Sequence, residues 1–147
     1  MMVKNESHII KRCLDSVVDI IDYWVICDTG STDGTQEIIK IILKKKIPGE
    51  LFEHTWENYG HNRNLTLECA KDKADYLLLA DADYIFHIKD YNFKNNLSCT
   101  AYEFYNITLP LKYTMLKLIK GVKHGNMKGL LTNILSVQAN QITRSIK

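Results

Sequence analysis

Three absences narrow the problem before any motif is considered. No stretch approaches the ~18 consecutive apolar residues that a membrane-spanning helix needs, and no signal-peptide pattern opens the chain. An integral membrane protein is therefore not expected, a peripheral one is not excluded, and the expected location is the cytoplasm. The four cysteines (Cys13, Cys27, Cys69 and Cys99) include no Cys-x-x-Cys pair, and each lies in an apolar stretch, so they read as reduced, buried thiols. The third absence is of acid, because no Asp or Glu follows Glu103. Residues 1–103 hold 12 Lys and Arg against all 17 Asp and Glu, a net charge of −5, while residues 104–147 hold 7 basic side chains. That tail has no dense Lys/Arg cluster and no aromatic residue beyond Phe104, Tyr105 and Tyr113, which argues against a nucleic-acid-binding arm.

The rest of the composition is that of a folded domain. With 147 residues, 46% of them apolar and 24% charged, the chain has room for one domain and is unlike collagen, a coiled coil or a wholly disordered segment. It contains no internal repeat or low-complexity linker.

The apolar pattern predicts alternating strands and helices. Residues 3–7 read as the end of a strand, and 7–18 as a helix whose Ile9, Ile10, Cys13, Leu14, Val17 and Val18 recur at helical spacing. The run YWVICD (23–28) reads as a buried strand, TGSTDGT (29–35) as a turn rich in N-capping residues, and 33–46 as a helix stopped by Pro48-Gly49. A short strand (51–55), a helix (61–73) and a second buried strand, DYLLLAD (75–81), follow. Residues 100–109 and 112–119 read as a hairpin. Strand–helix alternation through residue 81 implies a parallel sheet with right-handed crossovers, whose ligands gather beyond the carboxyl ends of the strands. Asp28 and the Asp81/Asp83 pair are expected at such ends.

The chemistry concentrates in LLLADAD (77–83), where an apolar strand delivers two carboxylates two residues apart. If the extended conformation persists, both point the same way. Two acids held together repel unless a cation or donor lies between them, and an oxygen-only pair suits Mg²⁺ or Mn²⁺ shared with a diphosphate. Taken alone, such a triplet also fits an ordinary acidic turn at a strand end. Similarly, Gly30 and Gly34 suit turns, and Ser31, Thr32 and Asp33 suit caps, without any ligand. The glycine spacing is not that of a dinucleotide-binding loop.

Together the segments MVKNESHIIKRCLDSV (2–17), DYWVICDTGSTDGTQEI (22–38), HTWENYGHNRNLTLECA (54–70) and DYLLLADAD (75–83) resemble the family 2 glycosyltransferases, in that family's order and spacing. The resemblance implies an α/β, Rossmann-like GT-A fold with a mostly parallel sheet flanked by helices, here incomplete at its C-terminus. It implies a donor-binding core over 1–103, with 104–147 a remnant of the acceptor region or a frameshifted basic tail. It further implies transfer of a sugar from a nucleotide-diphospho-sugar (a UDP- or GDP-sugar), with inversion and with Mn²⁺ or Mg²⁺ as cofactor. By the same resemblance Asp28 contacts the base, Asp81 lies near the ribose or a metal-bound water, and Asp83 binds the metal. Arg63 faces the base or phosphates, while Val3, Asn5 and Glu6 line the nucleotide pocket, largely through backbone. Asp28, Asp81 and Asp83 are expected to converge at one rim of the sheet.

The second half departs from the family pattern. The catalytic base should follow the Asp-x-Asp motif, yet only Asp90 and Glu103 follow Asp83, neither in a base motif, and His124 is the one other conventional base in the tail. No catalytic residue is assigned. A neighbouring reading frame of codons for 125–138 can be written that resembles the family segment after the motif, which suggests a frameshift near His124. The abrupt first strand suggests a late beginning. Weak or absent transfer is expected. The alternatives are a non-catalytic nucleotide-sugar-binding remnant and, less favoured, an Asp-x-Asp phosphohydrolase, whose nucleophilic Asp would stand on the first strand.

Overall fold

The computed structural model describes residues 1–108 and 110–121 and, for the backbone only, 141–144. The chain divides into two compact units, one of residues 1–71 with 81–83, the other of 72–80 with the strands from Tyr84 onward.

In the first unit β1 (Met2–Val3), β2 (Trp24–Asp28) and β3 (Gly49–Glu53) form a parallel sheet in the order β1-β2-β3. Val3 pairs with Asp28, and Asp28 with Glu53. The crossovers are the helices α1 (Ile10–Val17) and α2 (Thr35–Leu43), and α3 (Tyr59–Cys69) follows β3. The helical period read from the sequence is what α1 buries, namely Ile10, Cys13, Leu14 and Val17. An eight-residue helix is not stable alone, so packing must hold it. Each fully buried Ile or Leu contributes roughly 1.5–3 kcal/mol by leaving water. Alternation along β2 sends Trp24 and Ile26 into one core with Ile10, Leu14, Ile39 and Leu43, so α1 and α2 cover that face of the sheet. Cys27 alternates to the other face, where its thiol lies near Cys69 at the end of α3.

Each predicted helix is found, with shifted ends. Residues 7–9 form a turn rather than helix, in which Ile9 and Ile10 amides donate to the Glu6 carbonyl at 3.0 and 2.9 Å. Helix α2 starts at Thr35, not 33, because Gly34 takes the left-handed conformation (φ 92°) and supplies no side-chain cap. Its last turn gives way to bonds from Lys46 and Ile47 to the Leu43 carbonyl before Pro48.

Gly49 is required by close approach. It pairs with Trp24, whose indole Nε1 donates to the Ile47 carbonyl at 3.0 Å and whose ring carbons Cγ, Cδ1 and Cδ2 lie against the position where a side chain on Gly49 would begin. Gly49→Ala drives a methyl into that ring and is expected to cost about 1–3 kcal/mol, the usual range for overpacking, read as a lowered urea midpoint with Trp24 fluorescence as probe. An unchanged midpoint would contradict this packing.

The second unit holds β4 (Tyr76–Leu78), β5 (Tyr84–His87), a 3₁₀ turn (Phe93–Asn96), β6 (Ala101–Thr108), β7 (Leu111–Lys120) and β8 (Gln141–Arg144). Its sheet runs β4-β7-β6-β8-β5, antiparallel throughout except for the β6–β8 pair. The predicted hairpin is β6–β7. The run 75–81 departs from expectation, because only Tyr76–Leu78 is strand and it pairs antiparallel with β7 instead of extending the parallel sheet. Strand β7, ten residues long, offers Leu118, Ile119 and Lys120 as partners on the edge away from β6. Leu79 still donates to the Lys117 carbonyl at 2.6 Å, and the backbone then leaves the ladder. Lys117 is buried, its ammonium 3.9 Å from the centre of the Tyr84 ring, a cation–π arrangement. No described helix is long and apolar enough to cross a membrane. The expected frameshift near His124, and His124 itself, lie outside the described residues.

Candidate functional site

Two turns at the carboxyl ends of β1 and β2 are joined by reciprocal hydrogen bonds. Asn5, with φ 54°, donates its amide to Ser31 Oγ and accepts from the Thr32 amide on Oδ1, both at 2.8 Å. The Glu6 amide donates to Thr35 Oγ1 at 2.8 Å, and the Ser7 amide to Asp33 Oδ2 at 2.9 Å. Asp33 also accepts from the Thr35 amide and hydroxyl, at 3.1 and 2.6 Å. The bond from the Thr35 hydroxyl acts first, and together these donors hold its carboxyl well below the usual carboxylate range. The expected pocket residues are therefore ordered, but the amides of Asn5, Glu6 and Ser7 are spent on the neighbouring turn. Val3 is a core residue, and its carbonyl accepts from the Thr29 amide and hydroxyl at 2.9 and 3.1 Å.

Asp28 is buried at the end of β2, and its carboxylate closes the same turn. It accepts from the Gly30 and Ser31 amides at 3.3 and 2.9 Å, from Gln36 Nε2 at 2.9 Å, and from the Ser31 hydroxyl. Burial pushes its carboxyl up, but the bonds from Ser31, Gln36 and Gly30 outweigh that and leave it below its ordinary value. Sequence reasoning assigned the acid and missed its partners. Gln36, on the first turn of α2, is eight residues away and carries no motif of its own.

The Asp81-Ala82-Asp83 triplet belongs to the first unit, although the residues on either side of it belong to the second. It is a turn, not the strand end that was predicted, so strand alternation does not fix its side chains. Its anchoring does. Ala82 is buried in the α1/α2 core with Val3, Ile10 and Leu14, while Asp81 and Asp83 stay partly exposed. The Cys13 thiol donates to the Asp81 carbonyl at 3.3 Å, which ties the turn to α1. Arg63 reaches this turn from α3, with Nη1 3.9 Å from Asp81 Oδ1. The same Nη1 donates to the Tyr59 hydroxyl at 2.7 Å, and the guanidinium lies 5.6 Å from that ring's centre. Both partners of the ion pair are about a third exposed (38% and 32%), so it orients the side chains more than it stabilises the fold.

The start of α3, the helix that carries Arg63, is tied to the segment before it by a residue the sequence reading passed over. Asn62 is buried inside α3, accepting from the Glu57 amide at 2.9 Å and donating to the Thr55 carbonyl at 3.0 Å. Asn is a poor helix-interior residue, and its place amid HNRN was the available signal. Asn58 caps the helix by accepting from the His61 amide at 2.9 Å.

The three acids do not form one ligand cluster. Among the described residues, three metal-ligating atoms come within 4.8 Å of one another at Cys27, His54 and Cys69 instead. Asp28 is kept out by its own turn. Of the acids after Asp83, Asp90 accepts from the Asn92 amide at 2.8 Å beside the 3₁₀ turn, and Glu103 stands at an irregularity in the β6–β7 ladder. Both lie in the second unit.

A parallel sheet with helical crossovers, with an acidic turn anchored in its core, is compatible with the GT-A fold that the sequence resemblance implies, and comparisons with known proteins support that fold. Residues 1–92 match the model of glycosyl transferase family 2, and the chain belongs to that family. The SPbeta prophage-derived glycosyltransferase SunS of Bacillus subtilis is 33% identical over 87 residues, 58% of this chain and 19% of SunS. A TPR repeat-containing protein of Synechococcus elongatus is 32% identical over 84 residues, 56% of this chain and 19% of its own length. The chain thus spans about a fifth of the curated relatives it matches. Among solved structures, the mannosyltransferase PcManGT of Pyrobaculum calidifontis, in complex with GDP-Man and Mn²⁺, superposes with a TM-score of 0.58 at 17% identity, covering 81% of this chain and 42% of that one. S. aureus TarS superposes with a TM-score of 0.52 at 20% identity, over 65% of this chain and 28% of TarS. The family match includes the Asp81–Asp83 turn, which sets the phosphohydrolase alternative aside.

Proposed function

We propose that this chain is the donor-binding part of a glycosyltransferase, taking a nucleotide-diphospho-sugar at the rim formed by the first-unit turns. The observation that carries this reading is the buried anchoring of Ala82, with an acid on each side and Arg63 3.9 Å from one of them. The donor set fits a hard divalent cation, since Asp81 and Asp83 offer carboxylate oxygens and no soft ligand. Mg²⁺ and Mn²⁺ commonly take one or two protein carboxylates and fill their remaining positions with water and substrate phosphate oxygens. When bound, such an ion stabilises the charge that develops on the diphosphate as the sugar–phosphate bond breaks. Asp83 is the proposed principal ligand, with Asp81 beside it. Arg63 supplies positive charge toward the diphosphate and keeps Asp81 oriented. Asp28 shapes the base-side turn, through which Asn5 and Glu6 are positioned, and Val3 backs that turn from the core. The sugar and the acceptor are left unassigned.

Titration calorimetry with UDP and GDP tests the reading. Either nucleotide is expected to bind in Mn²⁺ and to lose at least about tenfold in affinity when the metal is chelated, a difference of roughly 1.4 kcal/mol. Equal binding with and without metal would remove the proposed cation from the site. With a labelled UDP- or GDP-sugar, we expect donor binding with little or no transfer. Asp90, one of the two acids beyond Asp83, is committed to its local turn, and binding without turnover is the behaviour of a non-catalytic donor module.

A further inference from the structure

We propose that Cys27, His54 and Cys69 form a second metal site, one for Zn²⁺, chemically and spatially separate from the acidic turn. The three ligands come from three elements of the first unit: Cys27 within β2, His54 one residue past β3, and Cys69 as the last residue of α3. Their ligand atoms all lie within 4.8 Å of one another, with Cys69 Sγ 3.5 Å from His54 Nε2. A tetrahedral zinc with bonds of ~2.3 Å to sulfur and ~2.0 Å to nitrogen sets an S···N edge of about 3.5 Å and an S···S edge of about 3.8 Å. The Cys69–His54 separation already matches such an edge, and the other two pairs lie within 4.8 Å. The mixed nitrogen and sulfur set selects a borderline-soft ion over the hard cation suited to Asp81 and Asp83.

Burial first, and then the neighbouring Cys27, Glu50 and Glu68, together raise the Cys69 thiol to about 11 in the metal-free chain. A metal ion bound here has to displace the proton from each thiol, so its uptake is pH-dependent. Cys27 is 1% exposed, whereas His54 and Cys69 are only partly covered, which leaves an approach and a fourth position open to water. The Phe52 ring stacks parallel to His54 at 6.3 Å and fixes the plane of the imidazole. The site backs directly onto the acidic strand end, since Cys27 precedes Asp28 and the His54 amide donates to the Asp28 carbonyl at 2.9 Å. Zinc here would fasten α3, and with it Arg63, to β2 and the segment after β3.

The test uses the full chain, reduced and metal-free, titrated with Co²⁺ and then Zn²⁺. The expected result is one tetrahedral Co²⁺ per chain, with a thiolate-to-cobalt charge-transfer band and intense visible bands, these bands being lost on adding Zn²⁺. Cys69→Ser and His54→Gln should each weaken uptake by more than about a hundredfold, beyond the roughly 10–100-fold that losing an outer-shell partner costs. Cys99→Ser should leave the spectrum unchanged. Should either ligand variant fail to fold by circular dichroism, alkylation of the wild type decides, with Zn²⁺ expected to protect Cys69 from iodoacetamide. The absence of any thiolate-to-cobalt band, wild-type Co²⁺ affinity in both Cys69→Ser and His54→Gln, or unprotected alkylation of Cys69 would each overturn the proposal.

Discussion

Asp28→Ala is expected to destabilise the first unit by about 2–4 kcal/mol, read as a lowered urea midpoint followed through Trp24 in its core. The wild-type carboxylate accepts four hydrogen bonds in a buried position, from two backbone amides, one hydroxyl and the Gln36 amide. Hydrogen bonds to a charged acceptor contribute about 1.5–3 kcal/mol each, and bonds made by one group do not add, so the total stays well below four times that value. Asp28→Asn keeps the shape but turns an amino group toward one set of these donors, and a loss nearly as large is expected. The pH dependence carries a definite sign. The folded-state pKa of Asp28 is lowered from the ordinary carboxylate value, as is that of Asp33. The stabilisation is therefore fully present above the unfolded value near ~3.9 and is lost as pH falls through the lower folded one. The acid limb of the stability curve should flatten in Asp28→Ala. If the variant unfolds at the wild-type urea midpoint, the carboxylate is not what holds this turn.

The turn also shows where sequence reasoning reaches its limit. Helix α1 and strand β2 were legible because their burial is written as period. Ile10, Cys13, Leu14 and Val17 recur at helical spacing, and Trp24–Asp28 is a continuous apolar run closed by one acid. The β6–β7 hairpin was legible for the same reason. Strand β4 was not, because a short apolar run such as 76–80 states that it is buried without stating which partner covers it. The competing edge of β7 is a tertiary fact, and it shortened the strand so that Asp81 and Asp83 stand on a turn. Asp28, Arg63, Asp81 and Asp83 were picked out as residues, but their hydrogen bonding was not. Gln36 and Asn62 act only through the partners that folding brings to them. Cys27, His54 and Cys69 are 27 and 15 residues apart, and no local spacing marks such a set. The scattered cysteines read as inert thiols until the sheet and α3 bring two of them to one histidine.

Asp83→Ala is expected to abolish Mn²⁺-dependent binding of UDP or GDP, with a loss of at least about a hundredfold, equivalent to roughly 2.7 kcal/mol. Asp81→Ala should cost less. Arg63 lies 3.9 Å from Asp81 and already offsets part of its charge, so removing Asp81 deletes less net negative potential from the ion's position. It also releases Arg63 to move toward the diphosphate, a compensation that Asp83→Ala does not provide. Arg63→Ala separates the two contributions by direction. Loss of its charge should weaken diphosphate binding by about tenfold, yet leave Mn²⁺ affinity unchanged or slightly higher, because a cation beside Asp81 has been removed. The effect should shrink with added salt, since both side chains are about a third exposed and the pair is screened. Calorimetry of Mn²⁺ alone, nucleotide alone and the two together in the three variants gives the pattern. If Asp83→Ala retains wild-type nucleotide affinity in Mn²⁺ while Asp81→Ala does not, the metal is held on the other carboxylate and the assignment is reversed. If neither substitution matters, the anchored turn is only a structural link, and donor binding must be sought elsewhere in the chain.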